Sequence, residues 1–321
     1  MELPPALRAA VDAALGTVRP GDLAEAASRL SARYRAEVRD GRLHLSDDLF
    51  ALAYLATRLP ATYAALHAAL EQTATTLPDF APLSHLDAGA GPGTAFWAAR
   101  DIWPGIDAAT LLEASPAIRT RGMALMEHAG LAADWRDADL LQALPSAEAD
   151  LVTLSYVLDE LAPEKRATLV RDLWGRTTGL LVIVEPGTPA GWRRILAARD
   201  VLIGEGAHIA APCPHTAPCP VLPPDWCHFS RRVARTRLHK QAKNADVPWE
   251  DEKFIYLAAS RMVPRRAASR VLAPPRTASG QIRLKLCKAD GTAGGRLVTR
   301  REGAAYKAAR RMDWGDEGPA A

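Results

Sequence analysis

The chain has 321 residues, of which 48% are hydrophobic and 24% charged, a balance that is typical of globular proteins. No stretch approaches the roughly 18 uncharged apolar residues of a membrane-spanning helix, so we expect no such helix. The net charge of +3 is unevenly spread, because residues 228–321 hold 21 Lys and Arg against 9 Asp and Glu. A basic end of this kind predicts a polyanionic partner, with nucleic acid as the first candidate.

Residues 1–78 are predicted to form a helical region that covers the next domain. Leu49, Leu52 and Leu59 recur at helical spacing, and Pro60 breaks or kinks that helix and can open another. The first residues contain neither a basic leader nor an unbroken apolar run, so we expect no signal peptide. A reducing compartment follows from that expectation, and it favours metal-binding or catalytic cysteines over structural disulfides.

Residues 79–264 alternate short apolar runs with helical patterns, which predicts an α/β domain built on a doubly wound parallel sheet. The predicted strands are 85–87, 109–113, 133–136, 150–154, 180–184 and 253–258. The predicted helices are 94–101, 115–129, 163–174 and 228–243. Beyond them, turn signals and the alternation at 281–288 predict that residues 265–321 form a small basic β extension.

The stretch HLDAGAGPGTAFWAA places Asp87, Gly89, Gly91 and Gly93 on a strand-to-helix turn. Glycine lets a backbone turn sharply and approach a ligand closely. A nicotinamide fingerprint would need its third glycine at the position of Thr94. The pattern D-x-G-x-G-x-G instead resembles motif I of class I S-adenosylmethionine-dependent methyltransferases, in which this loop wraps the cofactor. The alternative is a tight turn in a doubly wound domain that binds no cofactor.

Two further carboxylates are candidates for the same cofactor. Glu113 closes the second predicted strand, where an acceptor-only group can bind both hydroxyls of a ribose. Asp137 and Asp139 follow the third predicted strand. One of them resembles the residue that contacts the adenine amine, and Asp137 is the one we favour.

The stretch LSYVLDEL, residues 154–161, supplies the candidates for methyl transfer. Such a transfer depends on alignment of the nucleophile with the methyl group, and a nitrogen nucleophile also needs a proton acceptor. Tyr156 could stack on a base, and Asp159 or Glu160 could accept a proton. The Asn/Asp-Pro-Pro-aromatic turn of the amino-methylating members of the superfamily is missing. The alternative is that these residues only form the wall of a cofactor pocket.

All four cysteines fit one metal centre, with the spacing C-x5-C-x7-C-x59-C at Cys213, Cys219, Cys227 and Cys287. Four thiolates suit a tetrahedral zinc ion or an iron–sulfur cluster. The short knuckles typical of structural zinc are missing, and the long spacing with two Cys-Pro pairs favours a cluster. The alternatives are zinc, unliganded thiols, or histidine ligands at His208, His215 or His228. Coordination through Cys287 would fasten the basic extension to the α/β domain, which favours a structural role.

Several stretches together resemble one family: AYLATRLPATYAAL (53–66), LDAGAGPGTA (86–95), LSYVLDEL (154–161), VEPGTPAGW (184–192), the Cys-Pro loop and DEKFIYLAASR (251–261). It is the family of methyltransferase-like proteins of the mitochondrial small ribosomal subunit, together with bacterial relatives described as ribosomal RNA methylases. The resemblance spans roughly residues 45–290.

The resemblance implies a class I methyltransferase fold that binds S-adenosylmethionine and carries a 4Fe–4S cluster on the four cysteines. It also implies an assembly factor, monomeric off the ribosome and without a membrane partner, that acts on small-subunit ribosomal RNA. The compartment is the bacterial cytoplasm, which we favour, or the mitochondrial matrix. The alternatives are an RNA-binding assembly factor that keeps the fold without turnover, and a small-molecule methyltransferase with a structural metal.

Two clusters of cations are predicted to bind that RNA. Arginine and lysine at phosphates give an affinity that does not depend on base sequence, and exposed rings such as Trp249 can stack on unpaired bases. The first cluster lies on the predicted helix after His228 and contains Arg231, Arg232, Arg235, Arg237, His239, Lys240 and Lys243. The second cluster contains Arg296, Arg300, Arg301, Lys307, Arg310 and Arg311.

Overall fold

The computed structural model describes residues 1–16, 18–35, 45, 47–142, 144–243 and 246–319. Helices precede the first strand, as the apolar spacing predicts: α1 (Pro5–Leu15), α2 (Pro20–Arg35), α3 (Asp48–Thr57) and α4 (Leu59–Ala74). The start of α3 is capped, because the Asp47 carboxylate accepts the backbone N–H of Phe50 at 2.9 Å. This bond satisfies a donor that has no partner within the helix.

The helices α3 and α4 meet at a bend of 55°. Pro60 lies in the first turn of α4, where its missing N–H costs no helical hydrogen bond. Within the described ranges, no single helix is long and apolar enough to cross a membrane, although this bent pair passes the same test of length and composition. In the protein, Tyr63, Leu66 and Leu70 of α4 are buried in the core.

The main sheet has the strands β1 (Ser84–Ala88), β2 (Ala108–Leu112), β3 (Asp134–Arg136), β4 (Ala149–Ser155), β5 (Thr177–Pro186), β6 (His208–Ala211), β7 (Phe229–Ala234) and β8 (Trp249–Ser260). Their order is β3-β2-β1-β4-β5-β8-β6, with β7 also paired to β8. The first five strands are parallel, and β8 runs antiparallel to β5, β6 and β7. The prediction of a doubly wound α/β fold is therefore confirmed, with an antiparallel edge added.

Each of the four main crossover helices follows a parallel strand: α5 (Thr94–Ile102), α6 (Pro116–His128), α7 (Pro163–Gly175) and α8 (Pro189–Gly204). The carboxyl ends of β1, β2, β4 and β5 consequently lie along one edge of the sheet. Open α/β sheets bind their ligands at this edge, so the fold places the glycine loop and the stretch after β4 where a ligand site is expected.

The helix predicted over residues 228–243 is wrong in its first half. Residues 229–234 form β7, and only α9 (Arg237–Ala242) is helical. Phe229 and Val233 are the buried residues of β7, and their spacing of four positions fits one face of a helix as well as one face of a strand. Hydrogen bonding to β8 makes this segment a strand, and one pair of apolar residues is too weak a sequence pattern to predict that pairing.

The extension beyond residue 264 forms a second, smaller sheet, as predicted. Its strands are β9 (Ser269–Val271), β10 (Arg276–Ala278), β11 (Gln281–Lys288), β12 (Ala293–Thr299) and β13 (Glu317–Gly318), ordered β10-β11-β9-β13 with β12 also on β11. A 3-10 turn (Arg300–Glu302) and the helix α10 (Ala304–Ala309) follow β12. Alternate β11 residues, Ile282, Leu284 and Leu286, form a separate small core with neighbouring side chains. Cys287 instead belongs to the main core, so this one strand joins both units.

Candidate functional site

A cleft of about 860 Å³ opens at the carboxyl edge of the parallel strands, a size typical of small-molecule sites. The glycine loop, the end of β2 and the turn after β4 line one side of it. Residues of α3, α4 and β8 line the other side. Its polar lining includes Tyr54, Arg58, Glu113, Asp139, Tyr156 and Glu252.

The glycine loop takes a path between β1 and α5 that favours glycine at three positions, the first of which is Gly89 with φ +71°. Gly93 caps α5 with φ +81°, and a Cβ there would lie 2.4 Å from the end of the Met126 side chain. Gly91 has φ +55°, but a Cβ on it would meet no atom within 4 Å. Backbone conformation therefore favours glycine at all three positions, and Gly91 leaves open space in the cleft beside its backbone. Gly89 lines the same cleft.

Asp87, at the end of β1, is 1% exposed. Its Oδ1 accepts the Thr153 hydroxyl at 2.7 Å, and Thr153 Oγ1 lies 2.8 Å from His85 Nε2. Burial lowers the pKa of His85 to about 3, so the ring is neutral. The Thr153 hydroxyl donates its hydrogen to Asp87, so toward His85 its oxygen can only accept. The proton of the neutral ring therefore lies on Nε2, which donates to Thr153.

The other carboxylate oxygen of Asp87 is buried without a partner among the described residues. Burial raises the pKa of this group to about 7, against the hydrogen bond from Thr153 that lowers it. Buried polar atoms almost always have a hydrogen-bond partner, and an exception at a strand end suits a ligand that donates a hydrogen bond there.

Glu113 directly follows β2 and joins the two loops at the cleft. Its carboxylate accepts the backbone N–H of Gly91 at 2.8 Å and that of Ser115 at 2.7 Å. Burial raises the pKa of Glu113, and these two hydrogen bonds oppose that shift. A carboxylate offers about four acceptor positions, so two remain for hydroxyl groups of a ligand.

The structure separates the two aspartates that follow β3. Both are exposed, but the Asp137 carboxylate lies 3.2 Å from the guanidinium of Arg119. Asp139 lines the cleft and accepts the backbone N–H of Leu141 at 2.9 Å. Of the two, Asp139 is therefore the residue that a ligand in the cleft can reach.

Tyr156, Asp159 and Glu160 all line the cleft, just beyond β4. Tyr156 is the one described residue other than glycine with a positive φ, 58°. Such a conformation costs a bulky residue free energy, and it is found most often at functional positions. The Tyr156 hydroxyl donates to Glu252 at 3.2 Å, and burial beside that carboxylate raises the pKa of Tyr156 well above its usual value.

Two cleft residues have no counterpart among the sequence-based candidates. Arg58, at the bend between α3 and α4, lies 3.4 Å from Glu252 of β8. This ion pair connects the N-terminal helices to the sheet across the cleft opening. Only the pairing of β8 with β5 brings Glu252 to this edge, so no local motif marks either residue.

The four cysteines line a single small cavity, of about 30 Å³, between the main sheet, α8 and the Cys-Pro loop. Burial raises the pKa of the Cys213 and Cys227 thiols, and it raises that of Cys287 to about 12. Repulsion from neighbouring cysteines raises the pKa of Cys227 and Cys287 further. The structure thus brings Cys287 together with the three cysteines of the loop. Within the described residues, no group of three or more His, Cys, Asp or Glu side chains is placed so that it could hold a metal ion.

Of the histidines considered as alternative ligands, His215 lines this cavity, with Nε2 3.3 Å from the Cys287 sulfur. His228 instead stacks on Trp226 and meets Trp314 edge-on. The cavity also contains Arg199 and Arg270, two buried cations that sequence reasoning missed. They lie on different elements, α8 and β9, and belong to no recognisable motif.

The first predicted RNA cluster is largely neutralised inside the fold. Acidic side chains of β8 pair with its cations: Asp251 with Arg232, and Glu250 with Arg235, His239 and Lys243. Although burial opposes it, contacts with His239 and Lys243 hold the pKa of Glu250 well below its usual range. The interpretation of this cluster as an RNA surface is therefore not supported by its geometry. Trp249 is 44% exposed, with Arg232 stacked over its ring at 5.2 Å.

The second predicted cluster remains free of acidic partners for most of its members. Arg296 lies 3.6 Å from Glu302. The other members are exposed, and no carboxylate within the described residues pairs with them: Arg300, Arg301, Lys307, Arg310 and Arg311. Two more exposed arginines, Arg276 and Arg283, stand opposite each other on β10 and β11.

Comparison with known families matches residues 48–319 to a family model described as "Mitochondrial small ribosomal subunit Rsm22". The human "Ribosome assembly protein METTL17, mitochondrial" is 29% identical over 290 residues, which cover 83% of this chain and 61% of that protein. The "Rsm22-cox11 tandem protein 2, mitochondrial" of Schizosaccharomyces pombe is 25% identical over 335 residues, covering 88% and 44%. The chain thus spans 61% or less of the length of these relatives.

Among solved structures, the chain is similar to magnesium protoporphyrin IX methyltransferase from Synechocystis PCC 6803 with bound S-adenosylmethionine. The identity is 15%, the match covers 72% of this chain and 91% of that one, and the TM-score is 0.42. It is also similar to an O-methyltransferase family protein from Burkholderia thailandensis, with 13% identity, 76% and 72% coverage and a TM-score of 0.45.

Proposed function

The chain belongs to the Rsm22 family, and from this premise we propose that it is a methyltransferase-like assembly factor of the small ribosomal subunit. In this proposal it binds S-adenosylmethionine in the cleft, holds a 4Fe–4S cluster on its four cysteines and contacts small-subunit ribosomal RNA with its basic extension. The observation that carries the proposal is the meeting of Cys287, from the small sheet, with the three cysteines of the Cys-Pro loop in one cavity.

Three features in or beside the cleft support S-adenosylmethionine, although Asp87 itself does not line the cleft. Asp87 has a buried oxygen without a partner, Gly91 leaves open space beside its backbone, and Glu113 retains two acceptor positions. Each suits a ligand that carries an amino group and a ribose. The residues that would hold it are Asp87, Gly89, Gly91, Gly93 and Glu113, with Asp139 in place of Asp137 near the adenine.

Titration calorimetry tests this part of the proposal. We expect both S-adenosylmethionine and its demethylated product to bind, because the contacts named above do not involve the methyl group. The absence of heat with both ligands, for folded protein, would contradict a cofactor site in the cleft.

The cysteine cavity supports a cluster because it joins four sulfur atoms with apolar walls and a hydrogen-bonding neighbour, His215. Coordinated there, the metal would link the small sheet to the α/β domain, which is a structural role. Anaerobically purified protein should be brown and contain iron and acid-labile sulfide in equal amounts. Colourless protein with one zinc ion per chain would show that the cysteines bind zinc and not a cluster.

The cations of α10 and its neighbours support an RNA partner, because they have no acidic partners within the described residues. Arg276 and Arg283 also support it, since like charges that face each other across strands destabilise a sheet unless an anion lies near. Affinity for a small-subunit ribosomal RNA fragment should fall steeply with salt, and the variant R310E/R311E should weaken it and reduce the salt slope by about 2.

Arg232→Glu is the matched control, because Arg232 already pairs with Asp251 and is not expected to contact phosphate. Equal loss of affinity in R232E and R310E/R311E would contradict the assignment of RNA binding to the second cluster. An affinity that does not change with salt would contradict phosphate contacts altogether.

A role without turnover is the second candidate function, and one observation favours it. The Tyr156 hydroxyl and the Arg58 side chain are both engaged with Glu252, so these groups of the cleft already have a protein partner. Comparison of small-subunit ribosomal RNA methylation with and without the protein separates the two functions. A methylated nucleotide that disappears without the protein, and returns with wild type but not with a variant that cannot bind the cofactor, establishes an enzyme.

The compartment also remains part of the proposal. The relatives reported above are named as mitochondrial proteins, which supports the mitochondrial option. The preference for the bacterial cytoplasm finds no support among them. We propose further that the chain is monomeric off the ribosome and has no membrane partner, which light scattering and flotation with vesicles would test.

A further inference from the structure

The cysteine cavity contains two arginines that have no acidic partner in the part of the chain that the structure describes. Arg199, on α8, and Arg270, on β9, are each 2% exposed and line the cavity with the four cysteines. In the ranges that the structure describes, neither guanidinium forms an ion pair with an aspartate or a glutamate. The oxygen atoms that accept their hydrogen bonds among the described residues are all neutral carbonyl or amide oxygens.

Those acceptors hold the Cys-Pro loop on both sides of Cys213. Arg270 donates to the carbonyl of Pro212 at 3.0 Å, and Arg199 donates to the carbonyls of His215 and Ala217 at 2.9 and 2.8 Å. Arg270 also donates to the carbonyl of Gly315 and to the side-chain oxygen of Gln72. These bonds satisfy N–H groups, but they leave both positive charges uncompensated, and Nε of Arg199 has no partner among the described residues.

A buried charge without a counter-charge strongly destabilises a protein, and an arginine cannot escape this cost by losing its proton. Neutral thiols do not offset it. Cysteines that bind a metal do so as thiolates, and four thiolates around a divalent ion or cluster core leave a net charge of about −2. Two guanidinium groups in the same cavity match that charge.

We propose that Arg199 and Arg270 are the counter-charges of a thiolate-bound metal centre on Cys213, Cys219, Cys227 and Cys287. This inference rests on the four-cysteine site of the proposed function. The arginines act as positioning residues, because they set the charge of the cavity and hold the loop on both sides of Cys213. In agreement, both arginines act to lower the pKa of the Cys213 and Cys287 thiols, against the larger effect of burial.

The first experiment measures metal release from anaerobically purified protein into a chelator. The variants R199M and R270M keep an apolar chain of similar length but remove the charge, and we expect release to accelerate by roughly 10–100-fold. Arg261→Met is the matched control, because Arg261 also donates to two backbone carbonyls, at 2.8 and 3.0 Å, but lies outside the cavity. Release from both cavity variants no faster than from R261M would overturn the proposal.

The second experiment remains informative if R270M folds poorly when the cysteines are present. In a background with all four cysteines changed to alanine, the two arginines have no possible counter-charge. There R270M should raise the melting temperature, whereas in the metal-loaded protein it should lower it. An equal decrease in both backgrounds would show that Arg270 acts only through its carbonyl bonds and would overturn the proposal.

These outcomes are distinct from failure of the proposed function. The metal content of the wild-type protein reports on the four-cysteine site itself, before any arginine is changed. Wild type without metal would overturn the site and the counter-charges together. Metal-loaded wild type with arginine variants that behave like R261M would overturn the counter-charges alone.

Discussion

The cleft and the cysteine cavity both gather ionisable groups, but they differ in charge, exposure, size and origin. The cleft measures about 860 Å³, and carboxylates of Glu113, Asp139 and Glu252 line it. The cavity measures about 30 Å³ and contains two arginines and four thiols. In the cleft, Glu113 and Asp139 follow β2 and β3, and Glu252 lies in β8. The groups of the cavity come from α8, the Cys-Pro loop, β9 and β11.

This difference indicates different tasks. An open cleft with unused acceptor positions suits a ligand that enters and leaves, because exchange requires access from solvent. A small cavity that joins four distant segments suits a permanent centre, because loss of its contents would separate the segments. The predictions that follow test each side of this contrast, beginning with the largest effect.

The largest effect is expected at the cavity. Cys287→Ser should abolish metal binding and expose the chain beyond residue 264 to proteases, at a cost of about 3–5 kcal/mol, the scale of leaving buried charges unpaired. Metal analysis and limited proteolysis measure the two consequences. Ala289→Ser, an exposed change near the same strand end, is the control. A C287S protein that keeps its metal and its protease resistance would show that the small sheet does not depend on the cavity.

The next effect concerns a buried carboxyl group near the end of β1, which lies outside the lining of the cleft. Asp87 has a pKa of about 7 in the folded protein against 3.8 as its ordinary value, so the unfolded chain releases this proton first as pH rises. Folding stability should therefore decrease between about pH 4 and pH 7, by about 1.4 kcal/mol per pH unit from this group, and level off above.

Urea unfolding of wild type and D87N at several pH values measures that contribution as the difference between the two proteins. The exposed Asp107→Asn serves as control and should keep the wild-type pH dependence. If the free energies of unfolding of D87N and wild type change in parallel with pH, Asp87 is not a buried acid with a raised pKa.

A smaller effect, on affinity alone, is expected from Glu113. E113Q removes a charged acceptor at the end of β2 and should raise the Kd of S-adenosylmethionine by about 10–100-fold, the range for a hydrogen bond to a charged group. Because Glu113 also holds the N–H of Gly91, a melting curve must accompany the calorimetry. Glu127→Gln, exposed on α6, is the control. Unchanged affinity in folded E113Q would remove the ribose contact from the proposal.

The smallest effect distinguishes the two aspartates after β3. D139N should weaken S-adenosylmethionine binding by about 2–10-fold, a smaller effect than that of E113Q because Asp139 is exposed and water screens its interactions. D137N should leave binding within about twofold, because Asp137 faces Arg119 rather than the cleft. The opposite order of effects would return the adenine contact to Asp137.

Much of the cleft could be predicted because its parts are local. The DAGAGPG loop and Glu113 each lie at the end of a predicted strand, and parallel strands bring such ends to one edge without further information. Arg58 and Glu252 could not be predicted in this way, because β8 reaches the edge through an antiparallel pairing with β5. The pairing of β8 with β7 is likewise long-range, and it is the reason that the helix prediction at 228–234 failed.

The basic end shows the same limit for charge. Counting cations in residues 228–321 correctly indicated a basic region, but it could not tell paired from unpaired side chains. Glu250 and Asp251 neutralise the cations near α9, and only the β7–β8 ladder brings them together. The cations near α10 remain unpaired within the described residues.

By itself, the sequence determined the alternation of strands and helices, the glycine turn and the set of four cysteines, because each depends on residues close together or on composition. Only the tertiary structure decided which charges meet: Arg199 and Arg270 beside the thiols, Arg58 with Glu252, and Glu250 with the cations of α9. The physical reason is that backbone propensity and hydrophobic period act over a few residues. Electrostatic pairing depends instead on distances in space, which long-range strand pairing sets.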